Sequence, residues 1–160
     1  WVYTKPKMLE EIANNNVWFG KDANAVPRLK RFLTSRKAGL TPETLWRAEE
    51  VGTTSDAKKH LLELFKEISL FDTPKPEQLI YRVLQISTNA GDVVLDPYLG
   101  SGTTAAVAHK MNRRYVGVEI GEHIKTHCVQ RLKQVIVGEK GGVSKEVGWK
   151  GGGGFDFYRP

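Results

Sequence analysis

The clearest pattern of apolar and polar positions lies in residues 92–119, beyond the middle of the chain. The apolar run Val93–Leu95 is bounded by a glycine and by Asp96, which predicts a short buried strand. A second apolar run, Tyr115–Val118, predicts another buried strand, and this one ends at Glu119. The two strands and the segment between them form the unit around which the other elements are expected to be arranged.

The segment between these strands begins as a glycine turn. Gly100 and Gly102 carry no side chain, so the backbone can bend tightly there and leave room for a ligand. A helix is predicted to start at Thr103. The sequence therefore predicts an α/β fold whose core is a strand, a glycine loop, a helix and a strand. An acid follows about 20 residues past the loop, as in a nucleotide-cofactor crevice.

Flanking elements follow from the spacing of apolar residues elsewhere. Helices are predicted at Met8–Ala13, Ser55–Ile68, Glu77 onward and Gly121–Val137. Short strands are predicted at Val17–Phe19 and Phe155–Arg159, and Thr41–Glu43 is expected to cap a helical turn. The glycine- and lysine-rich segment Gly138–Gly154 is predicted to be a flexible hairpin loop. The aromatic residues outside the central unit are more typical of a core than of base stacking: Trp18, Phe19, Phe32 and Trp46.

Two cofactors are compatible with the glycine loop. Gly100–Ala105 satisfies the loose pattern G-x-G-x-x-G/A of dinucleotide sites. However, Asp96 stands where a pyrophosphate would approach the helix amino terminus, and a carboxylate repels phosphate. S-adenosylmethionine (SAM) carries an ammonium and a sulfonium group and no phosphate, and Glu119 would accept hydrogen bonds from its ribose hydroxyls. The residues favour SAM, and an NAD-dependent oxidoreductase is the less favoured alternative.

Several stretches resemble those of DNA amino-methyltransferases, which methylate exocyclic nitrogens of adenine or cytosine. Asp96–Thr104, DPYLGSGTT, is similar to the SAM-binding motif of that family. Phe71–Ile80, FDTPKPEQLI, is similar to the motif that directly precedes the glycine loop in one permuted group, the beta group. Val17–Asp22, Val26–Leu33 and Gly151–Tyr158 extend the resemblance to the carboxy-terminal part of modification (Mod) subunits of type III restriction-modification systems.

The resemblance implies a partial Rossmann-like, SAM-dependent methyltransferase fold with flanking helices. In that fold Asp96 would lie near the methionine ammonium of SAM, Lys75 would pair with the methionine carboxylate, and Glu119 would bind the ribose. The expected cofactor-binding residues are Phe71, Asp72, Thr73, Lys75, Asp96, Tyr98, Gly100, Gly102, Thr103, Thr104 and Glu119.

The catalytic tetrapeptide of that family, Asp-Pro-Pro-Tyr or a close variant, has no counterpart in this sequence. Asp96–Leu99 is not that motif, because it already begins the glycine loop. We therefore expect the SAM-binding portion of a site-specific DNA methyltransferase that is inactive alone, with adenine N6 as the target that the resemblance implies. No catalytic residue is assigned. A non-catalytic DNA-binding or regulatory remnant is the alternative.

The missing part of the fold has a consequence for the sheet. Without the strand that carries the catalytic motif, Val93–Asp96 would present an open apolar edge. We expect that edge to be covered by the Val17–Phe19 strand, by a second copy in a homodimer, or by a chain carrying the catalytic half. A restriction subunit is a further expected partner.

Charge adds a candidate surface for an anionic partner. The formal net charge is +6, and Arg28–Lys37 holds five basic residues and no acid. Charge alone leaves a solvated face and DNA contact equally open. The resemblance favours DNA, with Lys21, Arg28, Lys30 and Arg31 as the expected contacts. Residues 1–54 would then be a DNA-contacting region, and residues 55–160 the SAM-binding part of the same structural domain.

The remaining titratable candidates have simpler interpretations. Cys128 falls at helical spacing among apolar residues, which indicates a buried structural thiol. His123 and His127 lie four apart, but no third ligand is apparent, so no metal site is predicted. His60 is expected to be an exposed helix residue. No apolar run approaches the ~20 residues that span a bilayer, so we expect no membrane contact and a cytoplasmic location.

Overall fold

The computed structural model describes residues 3–35, 39, 41–65 and 71–159. The chain divides into two compact units, Trp1–Thr41 and Pro42–Pro160. The boundary expected at residue 54 separates a DNA-contacting region from a SAM-binding region, and it stays a prediction. No helix among the described residues is long and apolar enough to cross a membrane.

The first unit contains one helix and one short antiparallel sheet. Helix α1 spans Lys5–Ala13 and ends where Asn15 takes a left-handed backbone, φ 56°. Strand β1, Val17–Trp18, pairs with strand β2, Arg28–Leu29, and a 3-10 turn follows at Leu33–Ser35. Because β1 forms its sheet with β2, the expectation that it covers the edge of Val93–Asp96 is wrong.

The second unit contains the predicted central motif among helices. Its elements are α2 (Ala48–Val51), α3 (Thr54–Leu64), α4 (Glu77–Ser87), β3 (Val93–Asp96), α5 (Thr103–Lys110), β4 (Arg114–Gly117) and α6 (Val129–Ile136). A π-helical turn, Ile124–Cys128, leads into α6. The helix predicted over Gly121–Val137 therefore begins later than expected. The helical turn predicted at Thr41–Glu43 is not formed.

Strands β3 and β4 are parallel neighbours, with Val94 opposite Tyr115 and Asp96 opposite Gly117. A parallel pair needs a crossover connection, and α5 provides it. This arrangement confirms the predicted α/β fold and the strand, glycine loop, helix and strand order.

The described residues cover one face of this sheet and leave the other largely exposed. Val94 and Tyr115 pack with α5 residues in the core, whereas Val93, Leu95 and Val116 on the opposite face are at least half exposed. The expectation of two buried strands is therefore correct for alternate residues only, because successive side chains of a strand point to opposite faces. Among the described residues, β3 has β4 as its one strand neighbour.

Helix α3 shows how local sequence sets an element. Thr53 and Asp56 form a capping box, in which the Thr53 side chain accepts from the Asp56 amide and the Asp56 carboxylate accepts from the Thr53 amide. These bonds satisfy two backbone donors that have no helical partner. The last turn predicted for this helix, as far as Ile68, lies outside the described residues.

The carboxy-terminal segment differs from both predictions made for it. Residues 138–154 form a packed loop rather than a flexible hairpin: Val143 is fully buried, and the Trp149 indole donates to the Val135 carbonyl at 2.7 Å. Residues 155–159 form no strand, since no described backbone segment pairs with them. Phe155 instead packs against the core cluster around Leu99 and Cys128. The composition of this segment indicated flexibility, but its buried side chains hold it against the core.

Candidate functional site

A cavity of about 260 Å³ lies between the extended segment that precedes α4 and the glycine loop that follows β3. Its lining combines the two motifs that the sequence singled out. The lining residues are Phe71, Thr73, Lys75, Ile80, Asp96, Tyr98, Leu99, Gly100, Ser101, Thr103 and Thr104. Of the expected cofactor-binding residues, all but Asp72, Gly102 and Glu119 line this cavity. Ile80, Leu99 and Ser101 line it without having been expected there.

The loop between β3 and α5 depends on its two glycines. Gly100 and Gly102 have φ values of 56° and 79°, in the left-handed region that favours glycine. A Cβ on Gly100 would lie 3.4 Å from the Phe71 ring, and one on Gly102 would lie 3.1 Å from Cys128 Cα. The glycines therefore permit both the turn and its close approach to neighbouring elements.

The opposite wall of the cavity is the proline-containing segment before α4. Pro76 has φ −67° and ψ 143°, an extended backbone, and α4 begins at the next residue, Glu77. The Thr103 hydroxyl, at the first residue of α5, donates to the Lys75 carbonyl at 3.1 Å. This hydrogen bond joins the two walls directly.

The cavity carries one acid and one base. The Asp96 carboxylate accepts from the Tyr98 amide at 3.0 Å, which holds it at the carboxyl end of β3. The Lys75 ammonium is exposed and lies 3.4 Å from the Thr73 carbonyl. A carboxylate and an ammonium at one cavity match the two charges of an amino acid zwitterion.

Glu119 reaches the glycine loop from the end of β4 without lining the cavity. Its carboxylate accepts from the Gly121 amide at 3.0 Å and from the Gly100 amide at 2.7 Å, and His123 Nε2 lies 3.2 Å away. The hydrogen bond from Gly121 holds the pKa of Glu119 below its ordinary value, and the bond from Gly100 and the nearby His123 ring act in the same direction. An ionised carboxylate thus fixes the turn at Gly100.

Cys128 packs beneath the same turn. Its thiol is buried, as the spacing predicted, and Sγ lies 2.9 Å from the Gly100 carbonyl as a donor. Burial raises the pKa of this thiol to about 12. The nearby histidines contact rings: His123 lies against Phe71, and His127 lies against Phe65.

A buried charge network beneath the loop was not anticipated. Arg131 on α6 donates to the Thr103 hydroxyl at 2.9 Å and to the Ser101 carbonyl at 3.4 Å. It also donates to Glu77 at 2.9 Å. A signal existed in the sequence, because position 131 falls on the apolar face defined by Cys128 and Val135, where a charged residue needs a partner.

The network continues through Lys110 to the far side of α5. The Lys110 ammonium lies 2.8 Å from Glu77 and 2.5 Å from Glu139, and all three side chains are nearly or fully buried. His60 lies 3.1 Å from Glu139 with 12% of its side chain exposed, so the expectation of an exposed His60 is wrong. The ligand atoms of His60, Glu77 and Glu139 lie within 4.8 Å of one another. Lys110 supplies the positive charge among them.

The residues expected to contact DNA belong to the first unit. Lys21, Arg28 and Arg31 are exposed, whereas Lys30 is half-buried and donates to the Asn15 side chain at 2.7 Å. The rest of the basic run, Arg36 and Lys37, lies outside the described residues.

The aromatic residues near this run differ in burial. Trp18 and Phe32 are 46% and 49% exposed, so the expectation that they form core is wrong for these two. Phe19 and Trp46 are half-buried. Flat rings are therefore exposed in the same unit as the basic side chains.

A larger cavity of about 720 Å³ lies elsewhere in the second unit, between β4, α6 and the carboxy-terminal segment. It is lined in part by Tyr115, Leu132, Trp149 and Phe155. Size alone would make it the first candidate for a ligand site. The smaller cavity is the better candidate, because it combines a glycine loop with a carboxylate and an ammonium.

Known proteins are similar to this chain over much of its length. The model of the DNA methylase family N6_N4_Mtase matches residues 1–130. The chain is 60% identical over 83 residues to the probable type III restriction-modification enzyme HindVI Mod subunit of Haemophilus influenzae, covering 52% of the chain and 11% of that protein. It is 33% identical over 112 residues to the type III restriction-modification enzyme StyLTI Mod subunit of Salmonella typhimurium, covering 70% of the chain and 17% of that protein.

Among solved structures, the crystal structure of the M1.HpyAVI-SAM complex is similar at 28% identity and a TM-score of 0.39, covering 61% of this chain and 41% of that one. The chain spans only a small part, 11% and 17%, of the two curated relatives. The family match, in contrast, extends over most of the chain, which therefore belongs to the DNA methylase family.

Proposed function

We propose that this chain is the SAM-binding portion of a site-specific DNA methyltransferase of a restriction-modification system. The observation that carries the proposal is the cavity at which the glycine loop, Asp96 and Lys75 converge. The proposal is further supported by the two similar Mod subunits and by the solved relative described as a SAM complex.

The residues at the cavity fit the parts of SAM. Asp96 would receive the methionine ammonium, and Lys75 would receive the methionine carboxylate. The loop would let the ligand approach the backbone, since a Cβ at Gly100 would close the space toward Phe71. When bound, SAM supplies the methyl group, and these residues hold and orient it, which is a contribution of proximity.

Glu119 would bind the ribose hydroxyls. Each of its carboxylate oxygens already accepts one backbone hydrogen bond, from Gly100 and from Gly121. A carboxylate oxygen has a second lone pair to offer, so a ribose hydroxyl can donate to Glu119 without displacing either amide. The lowered pKa keeps this group ionised and acceptor-only at neutral pH.

DNA is the proposed substrate, and adenine N6 is the proposed target on the strength of the resemblance to type III modification subunits. Lys21, Arg28, Lys30 and Arg31 are proposed to contact its phosphates. Phosphate contacts release counterions, so binding through them weakens steeply as salt is added. The residues that handle the flipped base belong to the catalytic half of the enzyme.

That catalytic half is the proposed partner of the uncovered sheet face. Val93, Leu95 and Val116 are 53%, 65% and 53% exposed on one face of β3 and β4. Parallel sheets are normally covered on both faces, because the helices that connect their strands pack there. We propose that the catalytic half supplies the strand beside the open edge of β3 and covers this face, in preference to a homodimer or a restriction subunit, and that the assembly is cytoplasmic.

The test is isothermal titration of the chain with SAM and with NAD. We expect SAM to bind with a dissociation constant in the micromolar range and NAD not to bind. Asp96→Ala should abolish or greatly weaken the binding of SAM, whereas Asp156→Ala, which removes an exposed acid of the larger cavity, should not change it. Binding of NAD and not SAM would contradict the proposal, and equal DNA affinity with and without SAM would support a non-catalytic DNA-binding remnant.

A further inference from the structure

Arg131 contacts the glycine-loop wall of the candidate cavity and Glu77, the residue that follows the proline-containing wall. It is 1% exposed and lies on α6, outside both sequence motifs. One guanidinium nitrogen is a donor to the Thr103 hydroxyl at 2.9 Å and to the Ser101 carbonyl at 3.4 Å. A second guanidinium nitrogen, Nη2, donates to Glu77 at 2.9 Å. A planar guanidinium presents such donors at fixed angles, which an ammonium cannot do.

Glu77 connects this arginine to the proline-containing wall. It is the first residue of α4, immediately after the segment that lines the cavity, and it is 1% exposed. Its second oxygen accepts from Lys110 and from the Val143 amide, so the carboxylate has little freedom to rotate. Glu77 therefore holds the Arg131 guanidinium in place on the side away from the glycine loop.

The glycine loop needs such a support. Gly102, the cap residue before α5, has no side chain to cap the helix, and its left-handed backbone is one of several that glycine can adopt. Thr103 follows it and donates to the Lys75 carbonyl while accepting from Arg131. Arg131 thus acts on the residue that joins the loop to the opposite wall.

We propose that Arg131 is a positioning residue of the SAM site, because its guanidinium, held by Glu77, fixes Thr103 and the Ser101 carbonyl. The inference rests on the proposed function for the identity of the ligand. Arg131 itself does not line the cavity, so it acts through the loop and not by contact with SAM.

The test compares Arg131→Lys with Glu139→Gln in the 160-residue chain. Lysine keeps the charge but lacks the planar set of donors at fixed angles, so it should not reproduce the contacts with both Glu77 and Thr103. Glu139 belongs to the same buried network through Lys110 and His60, but it contacts neither Ser101 nor Thr103, so it is a matched control for a purely structural effect.

Two quantities are measured for each folded variant: the SAM dissociation constant by calorimetry, and the amide chemical shifts of Gly100 and Gly102 without ligand. We expect Arg131→Lys to weaken SAM binding about tenfold, which equals about 1.4 kcal/mol, and to move both amide resonances. Glu139→Gln should lower the melting temperature, because it removes one partner of a buried pair, yet change the SAM affinity less than about twofold.

Equal SAM affinities and equal loop resonances in the two variants would overturn the positioning role. If the parent chain bound no SAM, the proposed function would fail. The amide resonances of Gly100 and Gly102 without ligand would still test the inference. A shift in Arg131→Lys alone would support the positioning role, and any other result would overturn it.

Discussion

Replacement of Glu77 by glutamine is expected to cost the chain a large part of its stability. The Glu77 side chain is fully buried and pairs with Lys110 at 2.8 Å and with Arg131 at 2.9 Å. Glutamine has nearly the same shape but no charge, so Glu77→Gln leaves two buried cations with Glu139 as their remaining described counterion. Removal of one partner of a buried pair typically destabilises a protein by about 3–5 kcal/mol.

The pKa of Glu77 gives a second route to the magnitude. Burial alone raises this pKa, but attraction to the Arg131 and Lys110 cations outweighs burial and lowers it from 4.5 to about 2. At about 1.4 kcal/mol per pKa unit, the ionised form contributes about 3 kcal/mol. Because the folded pKa is the lower one, this stability is fully present above pH 4.5 and is lost as the pH falls toward 2.

The assay is urea unfolding followed by circular dichroism at pH values from 7 down to 2.5. The matched control is Glu50→Gln, since Glu50 forms an ion pair across elements with Arg82 at 2.6 Å but is 40% exposed. The control should lose much less stability than Glu77→Gln, because an exposed ion pair contributes little. Glu77→Gln should lose about 3 kcal/mol at pH 7 and show a shallower loss below pH 4.5 than the parent. A loss as small as that of the control, or an unchanged acid slope, would refute the reasoning.

Three further predictions concern the loop, the thiol and the basic surface. Gly102→Ala should lower both the melting temperature and the SAM affinity, and more than Gly91→Ala, because Gly91 also has a positive φ but no atom within 4 Å of an added Cβ; equal effects would contradict the close contact described above. Cys128 should react with iodoacetamide at pH 8 no faster than the chain unfolds, since burial raises the pKa of its thiol to about 12; rapid labelling of the folded chain would be inconsistent with this. Arg28→Gln with Arg31→Gln should reduce the slope of log K for DNA against log[salt] by about 2, and an unchanged slope would exclude both residues as phosphate contacts.

The central motif could be predicted from local sequence, and the structure confirms it. Strand β3 has the bounds that the apolar run and its flanking residues indicated, Val93–Asp96. Helix α5 begins at Thr103, directly after the glycine whose left-handed backbone ends the turn. These features depend on neighbours a few residues apart, which is why pattern and spacing were sufficient.

The support of the site depends on contacts between residues far apart in the chain, and it could not be predicted in the same way. Glu77 and Arg131 are 54 residues apart, and His60 and Glu139 are 79 apart. The loop that follows α6 has the glycine content of a flexible segment, yet the burial of Val143 and the hydrogen bond from its amide to Glu77 make it part of the core. Amino-acid composition indicates how flexible a segment is on its own, and it does not indicate which distant residues the segment will contact.

The SAM site is proposed to be the smaller of the two cavities described above, and amide chemical-shift mapping of the isotope-labelled chain tests that location directly. On titration with SAM, we predict that resonances of Gly100, Thr103 and Thr104 move together with those of Phe71 and Thr73, while those of Gly151–Gly154 in the larger cavity do not. Shifts confined to the larger cavity, with the glycine loop unaffected, would contradict the account.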